Sequence, residues 1–237
     1  MKPIQLRAST DQGPTHTPLS TLLGGGVEGQ ERASHLVRCR EAIERALMTG
    51  NMNTVSQVMG DVEAPGHVQR VGRMAELLAR LLGLPEDEVT CIGLAAPLHD
   101  FGKLGVPSAL LRKPGSLEPE EFAIVKRHAL IGCVVLSHSK NPILRLAGTI
   151  SRTHHERYDG GGYPYGLRDD EIPIAGRIVA LVDVFDALLS VRPYKPAFSL
   201  ERTMALMRGD VGSHFDPAIF ARFEANLGRF LTLRSGA

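Results

Sequence analysis

The segment IPIAGRIVALVDVFDALLS, residues 172–190, is strongly apolar, yet it carries a carboxylate, Asp183, at its middle. A run of this kind belongs at the centre of any fold the chain adopts. Burying an unpaired carboxylate there costs several kcal/mol or more. The fold must therefore bring a cation or a set of donors to Asp183. An arginine would serve, as would a helix N-terminus or a metal ion.

The surrounding periodicity is helical. In HVQRVGRMAELLARLLG the positions Val68, Val71, Met74 or Ala75, Leu78 and Leu81 or Leu82 form one stripe, with Gly83 as a C-cap. EDEVTCIGLAAPLHD opens in acids that suit a helix N-terminus and closes on His99-Asp100. SLEPEEFAIVKRHALIGCVVL reads as one helix opening at Ser116, and SLERTMALMR and DPAIFARFEANLGRFL add amphipathic helices near the C-terminus. No strand alternation or internal repeat interrupts this pattern, so the expected fold is an all-α helical bundle. Residues 1–26, rich in Pro, Thr, Ser and Gly, read as a mobile tail. Residues 27–60 read as a short helical extension, and residues 61–237 as the main domain. The extension has one narrow apolar face of Leu36, Ile43 and Leu47, with Cys39 or Arg40 between them. That face can pack on the main domain, or on its own copy in a homodimer.

Asp183 has company. Glu63 and His67 are four apart and share a face if their helix starts that early. His128 lies in an otherwise apolar segment, and His154-His155 end another. With His99 and Asp100, these side chains come from five segments that a bundle would bring together. Inward-facing histidines and carboxylates on several helices are how such folds build metal sites. They are too many for one four-coordinate ion, so two or three octahedral ions fit better. Imidazole and carboxylate without thiolate suit Fe or Mn, with Zn, Co and Ni as alternatives. His16, His35, His138 and His214 lack this context.

HDFGKLGVP, HHERYDGGGYPYGL, RIVALVDVFDALLSVRPYK and HFDP, in this order and spacing, resemble the HD-GYP family. These are bacterial metal-dependent phosphodiesterases of the HD superfamily that hydrolyse cyclic di-GMP. The likeness runs from about Glu63 to about Phe223. It implies an HD-superfamily helical bundle with the metal site in its core, and metal ligands at His67, His99, Asp100, His128, His154, His155 and Asp183. Glu63 matches a glutamate associated with a third metal. The resemblance makes Asp100 and Lys103 catalytic, through a metal-bridging hydroxide and a lysine at the scissile phosphate. It gives Lys103, Arg192 and Lys195 to the ligand phosphates, and Gly162, Tyr163 and Pro164 to the guanine end. The products implied are linear pGpG and GMP. A weakly catalytic binding module and a phosphodiesterase for another cyclic dinucleotide, such as cyclic GMP-AMP, are the competing readings. Two departures stand out: Asp169 occupies a place where Gly is common, and Pro97 precedes LHD.

Composition excludes other classes. The formal net charge of +1 gives no reason to expect a nucleic-acid polymer as partner. No apolar run approaches ~20 residues, so no membrane span is expected. Cys39, Cys91 and Cys133 form no CxxC pair, which suits a reducing cytoplasm. Expected partners are cyclic di-GMP, a second copy of the chain through the N-terminal helix, and other signalling proteins.

Overall fold

A computed structural model describes residues 17–191 and 196–236. It starts with a short helix α1 (Leu19–Leu23), the long α2 (Gly26–Thr49) and α3 (Met52–Met59). The break at Gly50-Asn51 expected from the sequence separates α2 from α3, with Gly50 in the left-handed conformation. Helices α4 (His67–Leu81) and α5 (Glu86–Ala95) follow, then a 3-10 turn over Ala96–Leu98 and a second over Phe101–Gly105. Next come α6 (Ser108–Leu111), α7 (Pro119–Lys126), α8 (His128–Ser137) and α9 (Pro142–Thr153). A long loop leads to α10 (Ile174–Leu188), and α11 (Leu200–Gly209), α12 (Pro217–Glu224) and α13 (Leu227–Ser235) complete the bundle. No strand occurs among the described residues, as expected.

Helix α4 sits against α5, α10, α12 and α13, and its stripe of Val68, Val71, Met74, Ala75 and Leu78 is buried. Helix α10 is buried on most of its surface, from Ala175 to Asp186, which explains why its sequence is nearly continuous in apolar residues. Phe185 of α10 packs on Phe223 of α12, which packs in turn on Phe230 of α13. These rings hold the C-terminal helices to the core.

The turn that carries His99-Asp100 reaches α8 through Gly102. A Cβ on Gly102 would lie 1.9 Å from the His128 carbonyl oxygen and 2.6 Å from the Gly132 amide nitrogen. Only glycine permits this approach, and the approach is what sets Asp100 beside His128.

Four expectations are corrected. First, residues 19–23 of the expected tail are helical. Leu22 and Leu23 are buried, because Leu23 and Leu36 converge over Gly105; residues 1–16 lie outside the described residues. Second, the segment expected to be one helix from Ser116 divides at Arg127, and α7 begins after Glu118, which forms a capping box with Glu121. Third, α4 begins at His67, so Glu63 precedes the helix and meets His67 from a turn. Fourth, the His99-Asp100 pair follows a 3-10 turn, with Pro97 inside it, instead of closing α5.

Leu36 and Ile43 of α2 are fully buried within this chain, so the face that could have served a homodimer is occupied by the bundle itself. Leu36→Ala should therefore lower the unfolding free energy by about 2–5 kcal/mol, the usual cost of a core leucine. A urea midpoint equal to that of the parent would show that α2 is not part of the core.

Candidate metal centre

Four histidines are oriented by the same device. The Nδ1 of His99 donates to the Ala96 carbonyl (3.0 Å), that of His128 to Val125 (2.8 Å), and that of His154 to Ser151 (2.9 Å). The Nδ1 of His67 bonds instead to the Asp186 carboxylate at 2.8 Å. Each bond turns the opposite nitrogen, Nε2, toward a common centre. Such outer hydrogen bonds fix the ring and the tautomer of a metal-binding histidine. The division at Arg127 serves this geometry, since it places the His128 ring over the last carbonyls of α7.

Asp100 lies at the middle. Its Oδ1 is 3.1 Å from His128 Nε2 and 3.6 Å from His154 Nε2, and its Oδ2 is 3.2 Å from His99 Nε2. Asp183 Oδ1 stands 3.3 Å from His67 Nε2 and 3.8 Å from His99 Nε2. The ligating atoms form two nests: His67, His99 and Asp183 in one, and Asp100, His128, His154 and His155 in the other. Lys103 Nζ sits between Glu63 Oε1 (2.7 Å) and Asp100 Oδ2 (2.6 Å). Glu63 also approaches His67, at 3.6 Å.

Electrostatics separate the two nests. Burial alone would lower the His67 pKa, but Asp183, Asp186 and Glu63 outweigh it and raise it to about 10. Burial together with the rings of His154 and His128 holds His155 well below the ordinary imidazole value. Burial opposes ionisation of Asp183, yet His67 and His99 keep it far below the usual carboxylate range.

The residues fit divalent cations. The Nε2 atoms of His99, His128 and His154 and the Oδ1 of Asp100 are buried without a hydrogen-bond partner, although His128 and Asp100 are only 3.1 Å apart. Buried polar atoms are nearly always satisfied; these converge without being aligned to one another, as ligands of a shared ion do. Among the described residues one ammonium, Lys103, lies against the carboxylates of Glu63 and Asp100.

The glycine-rich loop closes over the second nest. Glu156, almost fully buried, accepts hydrogen bonds from the Tyr165 and Leu167 amides at 2.8 and 3.1 Å. A Cβ on Gly162 would fall 2.3 Å from the Arg157 nitrogen and 2.5 Å from the Glu156 Cα, so the loop folds back tightly on the HHE segment. Tyr163 stacks on His155 (4.8 Å, 27°), and Lys126 lies 5.5 Å from the centre of its ring. One face of Tyr163 is thus already given to His155. Asp169 has a φ of 47°, in the left-handed region that favours glycine.

This constellation can be compared with known proteins. The family model described as HD domain matches residues 56–219. The chain belongs to the HD domain family. It is 48% identical over 163 residues to a protein of Thermotoga maritima named cyclic di-GMP phosphodiesterase, covering 69% of this chain and 44% of that one. A Xanthomonas campestris protein named cyclic di-GMP phosphodiesterase response regulator RpfG is also 48% identical, over 63% of this chain and 40% of its own length. A Vibrio cholerae protein named 3'3'-cGAMP-specific phosphodiesterase 2 is 42% identical, over 73% of this chain and 33% of that one. The chain spans less than half the length of these curated relatives. The HD domain fold is also that of Bd1817, an HDG"Y"P protein from Bdellovibrio bacteriovorus. The TM-score is 0.55 at 22% identity, covering 92% of this chain and 74% of that one. The resemblance to HD-GYP proteins read from the motifs is borne out, as is the all-α architecture.

The bundle brings together the eight residues singled out as ligands, with Glu63 held at the edge by Lys103. Gly162, Tyr163 and Pro164 lie in the covering loop, and the Tyr163–Pro164 peptide is cis. Arg192 and Lys195 lie outside the described residues. Sequence reasoning missed Asp186, Arg70, Arg234 and Glu156. For Asp186 a signal existed: it follows Asp183 by three residues in an apolar helix, and Arg70 follows His67 by three. Among the described residues the arginines at Asp186 are Arg70, at 2.7 Å, and Arg234, at 3.2 Å.

A divalent ion held here should stabilise the chain. At about 1,000 times its Kd, one Mn2+ adds about 4 kcal/mol, or roughly 8–16 °C in Tm for a domain of this size, and EDTA should reverse the shift. A Tm indifferent to both additions would mean that the nests hold no cation. Asp169→Gly should relieve left-handed strain and raise stability by up to about 1 kcal/mol, measured by urea denaturation with EDTA present.

Proposed function

We propose that the chain is a metal-dependent phosphodiesterase that hydrolyses cyclic di-GMP to linear pGpG and on to GMP. The observation that carries the reading is the convergence of unpartnered Nε2 atoms from His99, His128 and His154 on Asp100. The names of the relatives at 48% identity supply the substrate class. In this reading His67, His99 and Asp183 would hold one ion, and His128, His154 and His155 the other, with Asp100 available to both. Fe or Mn suits the donor set best, before Zn, Co or Ni. Glu63, the residue that would serve a third ion, is engaged by Lys103.

Two divalent ions supply Lewis acidity, lowering the pKa of water and neutralising charge on the phosphoryl oxygens. The remaining work belongs to the chain. Asp100 orients the reacting centre through two oxygens that face opposite nests. Lys103, held by Asp100 and Glu63, provides fixed positive charge for the departing O3′ oxygen. Glu156 and Gly162 hold the covering loop close, so that Tyr163 and Pro164 shape the space beside His155. Arg192 and Lys195 grip the ligand phosphates. The reading places the protein in the cytoplasm, in keeping with the lack of a disulfide among its cysteines and with the lack, among the described residues, of a helix able to cross a membrane.

A second substrate is favoured by one finding: relatives at 42% and 38% identity are named as specific for 3'3'-cGAMP. Hydrolysis of both dinucleotides by anaerobically purified, metal-loaded protein separates the two. Asp100→Ala should lower kcat/KM by about 100-fold or more, since loss of an outer-shell partner alone costs about 10–100-fold. Full activity in that variant would sink the proposal, and binding of cyclic di-GMP without cleavage would identify a sensor.

A further inference from the structure

Asp186 is fully buried on α10 and connects two parts of the molecule. On one side its Oδ2 accepts the Nδ1 bond of His67, the first residue of α4. On the other it meets two arginines. Arg70 binds both of its oxygens, at 2.7 and 2.8 Å. Arg234 reaches Oδ1 with its Nε at 3.2 Å, while its Nη2 donates to Ser190 Oγ at 3.1 Å and to the Leu189 carbonyl. Arg234 belongs to α13, outside the span matched by the HD domain model. Phe230, one turn earlier on the same helix, is fully buried against Phe223 and anchors α13 to the bundle. The guanidinium therefore projects from a firmly seated helix onto both Asp186 and the end of α10.

We propose that Arg234 is a positioning residue for the metal nest of His67, His99 and Asp183. It holds the Asp186 carboxylate in the orientation that sets the His67 ring. Arg70 alone cannot define that orientation as well, because it shares α4 with His67 and moves with it. Arg234 comes from a separate element and ties Asp186 to the carbonyl end of α10. A carboxylate that orients a ligating histidine belongs to the outer shell of a metal site, and disturbing such a partner typically costs 10–100-fold in metal affinity. In the nest of Asp100, the rings of His128 and His154 donate their Nδ1 bonds to backbone carbonyls, which orient them without a contact to Arg234. The inference rests on the metal-site reading given above.

The test is metal binding by the full chain, measured as Mn2+ per chain and as Kd by titration after removal of metal with EDTA. Arg234→Met keeps the length of the side chain and removes its charge; Arg234→Lys restores charge without the planar fork. Arg208→Met, on an exposed arginine paired with Glu224, is the control. The expected result is a Kd about tenfold or more weaker for one ion of the pair in Arg234→Met, an unchanged Kd for the other, partial recovery in Arg234→Lys, and no effect in the control. Combining Arg234→Met with Asp186→Asn should weaken that ion no further than Asp186→Asn alone, since both act on one bond. Equal weakening of both ions, or parent-like affinities in an Arg234→Met protein whose EDTA-treated Tm has dropped, would make Arg234 a structural clamp and overturn the proposal. A parent chain that binds no Mn2+ would overturn the metal-site reading as well, which keeps the two failures apart.

Discussion

A buried carboxylate ringed by imidazoles organises this protein. Asp100 is 4% exposed, and among the described residues around it Lys103 brings the permanent positive charge. Taking charge out of water is costly unless it is paired and fully bonded, so the surrounding architecture is bent toward that one side chain. Gly102 removes a Cβ so that the turn can touch α8. The ends of α7 and α9 lend carbonyls that turn His128 and His154 inward. Leu23 and Leu36 seal the outside of the same turn over Gly105. The N-terminal helices are thus part of the wall behind the site.

The nest of His67, His99 and Asp183 is supported differently. There the outer partner is a carboxylate, Asp186, which needs cations of its own and finds them on α4 and α13. His67 and Arg70 on α4 face Asp183 and Asp186 on α10, each pair three residues apart, so one turn of each helix meets one turn of the other. Burial alone would push His67 toward the neutral form, and the acids around it reverse that sign. In the nest of Asp100, burial and the neighbouring rings of His154 and His128 leave His155 with depressed basicity. Two nests built from the same residue types therefore offer unlike surroundings to whatever they hold.

Much of this was legible in the residue order. The helical periods of α4 and α10, the break at Gly50-Asn51 and the inward histidines follow from local pattern, because a helix repeats its face every 3.6 residues. The division of α7 from α8 at Arg127 was not legible, since no glycine or proline marks it; the pull of His128 toward the Val125 carbonyl does. Leu22 and Leu23 were too few to show a period, and their burial depends on Gly105 lying opposite them. Asp169 is a case where a local rule and the structure agree: a position where glycine is common has a left-handed backbone.

Alone, the sequence determined that the chain is a helical bundle, that Asp183 and its neighbours needed cations, and that these residues belong to an HD-GYP-like pattern. Side-chain chemistry and periodicity are properties of short segments, so they survive without coordinates. The tertiary structure decided which atom of each ring faces the centre, that the candidate ligands divide into two nests with Asp100 Oδ2 turned toward His99 of the other nest, and that Lys103 holds Glu63. It also decided that Arg234, forty-eight residues from Asp186, stands behind His67. Those facts depend on contacts between elements far apart in the chain, where a single ångström of approach, as at Gly102, sets which side chains can meet.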